Sequence, residues 1–83
     1  MEREGIVRLI LENAATVLSI DVAALAPYAR LEDAGANSMD RMEIVTMTME
    51  ALDVDFPLLE LGGVDSIEEL AGVFERKTAS ARR

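Results

Sequence analysis

The chain has no cysteine, no histidine and no tryptophan, and only one tyrosine, two phenylalanines and two prolines. Without cysteine there is no disulfide, no thiolate nucleophile and no cysteine-ligated zinc. Without histidine the usual general base and the commonest metal ligand are missing. The shortage of aromatics argues against a surface on which nucleic-acid bases stack. Bases are scarce as well: 8 Lys and Arg stand against 16 Asp and Glu, for a net charge of −8. Such a surface repels phosphate backbones and anionic lipid, so neither nucleic acid nor membrane is an expected partner. No apolar run reaches the length of a membrane span, and Met1-Glu2-Arg3-Glu4 is no secretory leader, so the expected location is cytoplasmic. A chain lacking these groups is not expected to be an enzyme in its own right. It reads as a passive partner in chemistry done by others.

The 83 residues make one small domain, of a size that buries only about 60% of the surface its unfolded chain exposes. Its charge is uneven. From Leu31 to Glu69 there are eleven acids (Glu32, Asp33, Asp40, Glu43, Glu50, Asp53, Asp55, Glu60, Asp65, Glu68 and Glu69) and a single base, Arg41. The last eight residues hold four bases and no acid. The domain is expected over 1–76, with 77–83 as a basic, frayed tail.

Apolar residues recur at helical spacing in three places. Ile6, Leu9, Ile10, Ala14, Val17 and Leu18 form one stripe, predicting a helix from about Glu2 to Leu18. Ile67, Leu70, Val73 and Phe74 form another, opened by Ser66-Ile67-Glu68-Glu69, which has the spacing of a capping box. Between them a helix is predicted from Ser38 or Met39 to Leu52. At roughly 100° per residue, Met42, Ile44, Val45, Met49 and Leu52 share a broad inward arc. Glu43 and Glu50 lie opposite, flanked by Asp40, Met39 and Met47. The connection Ser19–Asn37 is long enough to suggest a function, with Val22, Leu25, Tyr28 and Leu31 able to pin it and Tyr28 read as a packed aromatic. Pro57 to Leu61 fits one short helical turn, stopped by Gly62-Gly63. Asp53 and Asp55 do not begin a calcium loop, because Leu58 and Val64 fall where glycine and glutamate are required; no metal is expected. The fold class is all-α, a small bundle of three main helices plus a short third helix.

Ser38 follows a glycine turn, Asp33-Ala34-Gly35-Ala36-Asn37, and opens the acidic helix. Serine is a good N-cap, so a purely structural role is open to it. Equally, a hydroxyl exposed at a helix N-terminus is accessible to a modifying enzyme.

Most of the chain, from about Ile6 to Phe74, resembles an acyl carrier protein in its order of elements and in Gly35-Ala36-Asn37-Ser38-Met39. Members carry an Asp-Ser-Leu signature whose serine bears 4′-phosphopantetheine, derived from coenzyme A. Ser38 matches that serine, while Asn37 replaces the aspartate and Met39 the leucine. The resemblance implies a covalent arm that supplies the missing thiol, a four-helix acyl-carrier bundle, and a non-catalytic role. It also implies docking of partners on Met39, Asp40, Glu43, Met47 and Glu50.

The run Asn37–Thr48, with Leu59-Glu60-Leu61-Gly62-Gly63-Val64 and Ser66-Ile67-Glu68-Glu69-Leu70-Ala71, is similar to the discrete donor carriers of polyketide β-branching cassettes. Those carriers hold malonyl, then acetyl, and present it to a 3-hydroxy-3-methylglutaryl (HMG)-synthase-like enzyme. Acceptor carriers tend to have a tryptophan on the second helix; the region here holds Ile44. The implied partners are a phosphopantetheinyl transferase, an acyltransferase, a decarboxylating ketosynthase-like enzyme and the HMG-synthase-like enzyme, with the carrier monomeric when free. The alternatives are a generic polyketide or fatty-acid carrier and, in another class, a non-covalent acidic helical adaptor in which Ser38 only caps its helix.

Overall fold

The computed structural model describes residues 2–81, which form three α-helices and two 3₁₀ turns. The helices are α1 (Arg3–Leu18), α2 (Ser38–Leu52) and α3 (Ile67–Ala81). The 3₁₀ turns are Val22–Ala24, in the long connection, and Leu58–Leu61, in place of the short third helix. The expected small all-helical bundle is the fold observed. Among the described residues no helix is long and apolar enough to cross a membrane, and no three acidic groups converge where a metal could bind.

The three apolar stripes meet as periodicity requires. Ile6, Ile10 and Ala14 of α1 are buried with Ile44, Val45 and Met49 of α2 and Ile67, Leu70, Ala71, Val73 and Phe74 of α3. α1 is the helix that packs against both of the others. The connections complete the core with Leu25, Leu31, Phe56 and Leu61. Phe56 meets Phe74 edge to face, with ring centroids 5.5 Å apart. Polar atoms enter where they find partners: the fully buried Thr48 hydroxyl donates to Ile44 O (2.8 Å) and accepts from Asn13 Nδ2 (3.0 Å), linking α2 to α1.

Two expectations for the long connection are corrected. Leu25 and Leu31 do pin it, but Val22 is exposed and Tyr28 is 75% exposed, so neither packs as a core residue. The pinning comes from hydrogen bonds, not from the aromatic ring. Ile67 N–H donates to Ala29 O (3.0 Å) and Leu31 N–H to Asp65 O (3.1 Å), a short antiparallel bridge between the connection and the entrance to α3. The carboxy-terminal end also differs from expectation. α3 continues to Ala81, because Thr78 is buried and Lys77 pairs with Glu60 and lies 5.2 Å from the Phe56 ring centroid. Arg82 and Arg83 of the expected 77–83 tail lie outside the described residues.

α1 and α2 end in the same way. Ile20 N–H reaches Ala15 O (3.0 Å) and Val54 N–H reaches Met49 O (3.1 Å), six-to-one closures that need a left-handed residue at the turn. Those residues are Ser19 and Asp53, both at φ 55°, where glycine is the usual occupant. Serine carries a Cβ penalty there that exceeds the extra chain entropy a glycine would bring. Ser19→Gly is therefore expected to raise the unfolding free energy by about 0.5–1 kcal/mol in urea titrations, with a smaller gain for Asp53→Gly because aspartate tolerates this region. A loss of stability in Ser19→Gly contradicts the assignment.

Candidate functional site

Leu31, fully buried, anchors a tight turn that delivers the chain to α2. Ala34 N–H donates to Arg30 O, Gly35 N–H to Glu32 O and Ala36 N–H to Leu31 O, at 3.0–3.2 Å. Gly35 sits at φ 99°, where a side chain would strain the backbone, so the turn depends on glycine there.

The N-cap of α2 is Asn37, not Ser38. Asn37 Oδ1 accepts the Asp40 N–H (2.8 Å) and Asp40 Oδ2 accepts the Asn37 N–H (3.2 Å), a reciprocal capping box. The Asn-x-x-Asp spacing was there to be read, since asparagine caps as well as serine does. Ser38 consequently occupies the first helical position. It is exposed, and its hydroxyl enters none of the hydrogen bonds among the described residues. The N–H groups of Ser38 and Met39 belong to the first turn, where no intrahelical acceptor exists. A phosphorylated group on Ser38 Oγ would meet those donors and the positive end of the helix dipole. The surroundings therefore fit a covalently attached phosphopantetheine: a free hydroxyl, open space, and no structural duty to lose.

Two clefts flank Ser38. One, of about 420 Å³, is polar and is lined by Arg30, Glu32, Ala36, Asn37, Ser38, Arg41, Gly63 and Asp65. The other, of about 190 Å³, is lined by Met42, Val45, Leu58 and Leu61 together with Ser38 and Arg41. Ser38 and Arg41 line both. Arg41 Nη2 donates to Val64 O, and Nε lies 3.3 Å from Asp65 Oδ1, an ion pair without the alignment of a hydrogen bond. The buried Asp65 also faces Arg30 Nε at 3.7 Å and accepts the Glu32 N–H at 3.0 Å. This cluster was missed from the sequence, where Arg41 and Asp65 are 24 positions apart and carry no pairing signal.

The expected docking residues are distributed unevenly. Met39 is 78% exposed; Glu43, one turn further on, and Glu50, towards the far end of α2, are exposed as well. Asp40 is partly buried with one carboxylate oxygen committed to the cap. Met47 is also partly buried, because it falls between the rows of Glu43 and of the buried Ile44. Met42, placed on the inward arc by periodicity, is instead 52% exposed. Only the short turn Leu58–Leu61 covers that edge of α2, and Leu58 and Leu59 are themselves exposed. The exposed apolar surface beside Ser38 is thus made by Met39, Met42 and Leu58.

The division of labour between Asn37 and Ser38 has a thermodynamic signature. Asn37→Ala is expected to cost about 0.5–2 kcal/mol by urea denaturation. Ser38→Ala is expected to change stability by less than about 0.5 kcal/mol, as for a surface residue without partners. The opposite ranking would return the cap to Ser38.

Comparison with known proteins agrees with this geometry. Residues 8–74 match the family described as a phosphopantetheine attachment site. The chain is 39% identical over 82 residues to the polyketide biosynthesis acyl-carrier-protein AcpK of Bacillus subtilis (strain 168), covering 98% of this chain and 100% of that protein. Proteins of this kind are carriers and not catalysts, and phosphopantetheine is the group they bear. With a matching region that spans most of the sequence and a helical bundle to accompany it, the chain belongs to the acyl carrier protein family.

Proposed function

We propose that Ser38 is the attachment point of 4′-phosphopantetheine, and that the protein is a polyketide-pathway carrier acting as the donor in β-branching. The observation that carries the first part is the exposed Ser38 hydroxyl at the head of α2, which enters none of the hydrogen bonds among the described residues. A transferase would take the Ser38 proton, join Oγ to the phosphorus that bears pantetheine and break the pyrophosphate bond of coenzyme A, with adenosine 3′,5′-bisphosphate as the leaving group. The arm then supplies a thiol on which acyl groups are held as thioesters. The protein's own contribution is positional. The Leu31–Ala36 turn and the Asn37–Asp40 box hold the serine on a rigid helix end, and tethering raises the local concentration of cargo at each docked enzyme.

Support for the polyketide assignment comes from the name of the similar Bacillus subtilis protein. The donor role is supported by the resemblance of Asn37–Thr48 and Leu59–Ala71 to donor carriers, and by Ile44 in the region where acceptors tend to have tryptophan. In this reading the carrier accepts malonyl from an acyltransferase. A decarboxylating ketosynthase-like enzyme converts it to acetyl. An HMG-synthase-like enzyme then joins that acetyl unit to a β-ketoacyl group on a second carrier. Met39, Asp40, Glu43, Met47 and Glu50 form the proposed docking face, with Met39, Glu43 and Glu50 the most accessible of them. Carboxylates around an apolar centre speed encounter with basic docking sites while leaving complexes short-lived.

Incubation of apo-protein with coenzyme A and a promiscuous phosphopantetheinyl transferase is expected to add one arm by intact mass, and Ser38→Ala is expected to add none. An unchanged wild-type mass overturns the attachment reading. For the donor role, the acetylated carrier is expected to support β-branch formation by a cognate synthase. Glu43→Lys or Glu50→Lys is expected to lower kcat/KM about 3–10-fold at low salt, with the difference shrinking as salt rises. Equal turnover when an unrelated fatty-acid carrier is substituted would leave only a generic carrier.

A further inference from the structure

Arg41 is the only base between Leu31 and Glu69, and it lies three residues after Ser38 on the same helix. Residues at that spacing share a helix face, so the guanidinium lies on the side of α2 from which the Ser38 hydroxyl projects. Arg41 and Arg30 both line the polar cleft that opens at Ser38. Between them is one buried carboxylate, Asp65, at 3.3 Å from Arg41 Nε and 3.7 Å from Arg30 Nε. Glu32 adds a second negative charge, but it lies 4.0 Å from Arg30 and its side chain is 77% exposed, where pairing is weak and screened. Arg30 is itself 59% exposed, so the half-buried part of the cluster is the Arg41–Asp65 pair, with Arg30 and Glu32 at its rim. Arg41 Nη1 takes part in none of the hydrogen bonds among the described residues. A half-buried cation thus keeps donor capacity beside an exposed hydroxyl, in a protein whose net charge is −8.

From this we infer that Arg41, assisted by Arg30, is the positioning residue for the phosphodiester attached at Ser38. The inference rests on Ser38 being the attachment point. A guanidinium presents paired N–H donors that match two phosphate oxygens, and it does so without deprotonating. Held in this way, the phosphodiester sits over the polar cleft, and the first bonds of the arm leave the protein on that side, away from the groove of Met42, Val45, Leu58 and Leu61. The interaction also offsets the repulsion that a new negative charge meets from Asp40, Glu32 and Glu43. Asp65 has a distinct part: it fixes the Arg41 guanidinium from the other side.

The test compares apo- and holo-forms of wild type, Arg41→Gln and Arg41→Lys, with loading verified by intact mass. Arg41 has a structural role through Asp65 and Val64, which is present in both forms and cancels in the holo-minus-apo difference. At low salt that difference in Tm is expected to be more favourable in wild type than in Arg41→Gln by about 2–6 °C. The gap is expected to shrink at high salt, and Arg41→Lys to recover part of it. In wild type the Nε–H resonance of Arg41 is expected to move on loading, while that of Arg8, paired with Glu12 on α1, stays in place. This readout needs no variant to fold. A loaded protein with equal Tm differences in wild type and Arg41→Gln, and an unmoved Arg41 resonance, overturns the inference alone. A serine that accepts no arm overturns the attachment reading with it.

Discussion

The structure around Ser38 depends on the carboxylate of Asp65. It lies just before α3, and it is the point where α2, the long connection and the entrance to α3 are joined. One oxygen faces Arg41 of α2, the other accepts the Glu32 N–H of the long connection, and the backbone carbonyl accepts the Leu31 N–H. α1 packs against both other helices, whereas the Ser38 end of α2 is tied to the start of α3 through Arg41, Val64 and Asp65. Removing one partner from a buried pair leaves the other charge desolvated and unmatched, which costs more than the intact pair contributes. A small domain with a modest core has little stability to spare for such a loss. An ionic contact of this kind tends to fix geometry more than it adds stability, and geometry is what a protein without its own catalytic groups has to offer.

The parts of the fold that were legible in the sequence are those set by local rules. Ile6, Ile10 and Ala14, and Ile67, Leu70 and Phe74, recur at the helical period and are buried. Gly35 marks a turn that needs positive φ, and Ser66 opens α3 with its hydroxyl accepting the Glu69 N–H at 3.2 Å. What escaped was decided by neighbours distant in sequence. Met42 satisfies the inward periodicity, yet the element beside it is a single 3₁₀ turn, too small to cover it. Thr48 is polar by composition but buried, because Asn13 of α1 supplies a partner. Residues 77–81 look like a polar tail, yet Lys77 pairs with Glu60 and lies over the Phe56 ring, and Thr78 is buried, so the helix is anchored past residue 76.

At the candidate site, the exposure of Ser38 and the acidic character of α2 could be read directly, but the reason for that exposure could not. Serine and asparagine both cap helices well, so the choice between Asn37 and Ser38 turned on which of them placed its oxygen opposite Asp40 N–H. Because Asn37 takes the cap, the neighbouring hydroxyl is released from structural use. The clefts on either side of it, one charged and one apolar, arise from the Arg41–Asp65 contact and from the partial cover given by Leu58 and Leu61. An acyl carrier fold thus presents its proposed attachment point on a rigid helix end, with exposed methionines and carboxylates beside it and an arginine lining both clefts.

Asp65, in this structure, holds the segment that presents Ser38. Hydrogen-exchange mass spectrometry on wild type and Asp65→Asn tests it most directly, since asparagine keeps the shape and removes the charge. In Asp65→Asn, exchange is expected to be at least about 10-fold faster in peptides covering 31–41, corresponding to a local loss of about 1.4 kcal/mol, with the amides of Ile10–Ala14 in α1 changed much less. Unchanged exchange across 31–41, or a uniform loss of protection throughout the bundle, would contradict it.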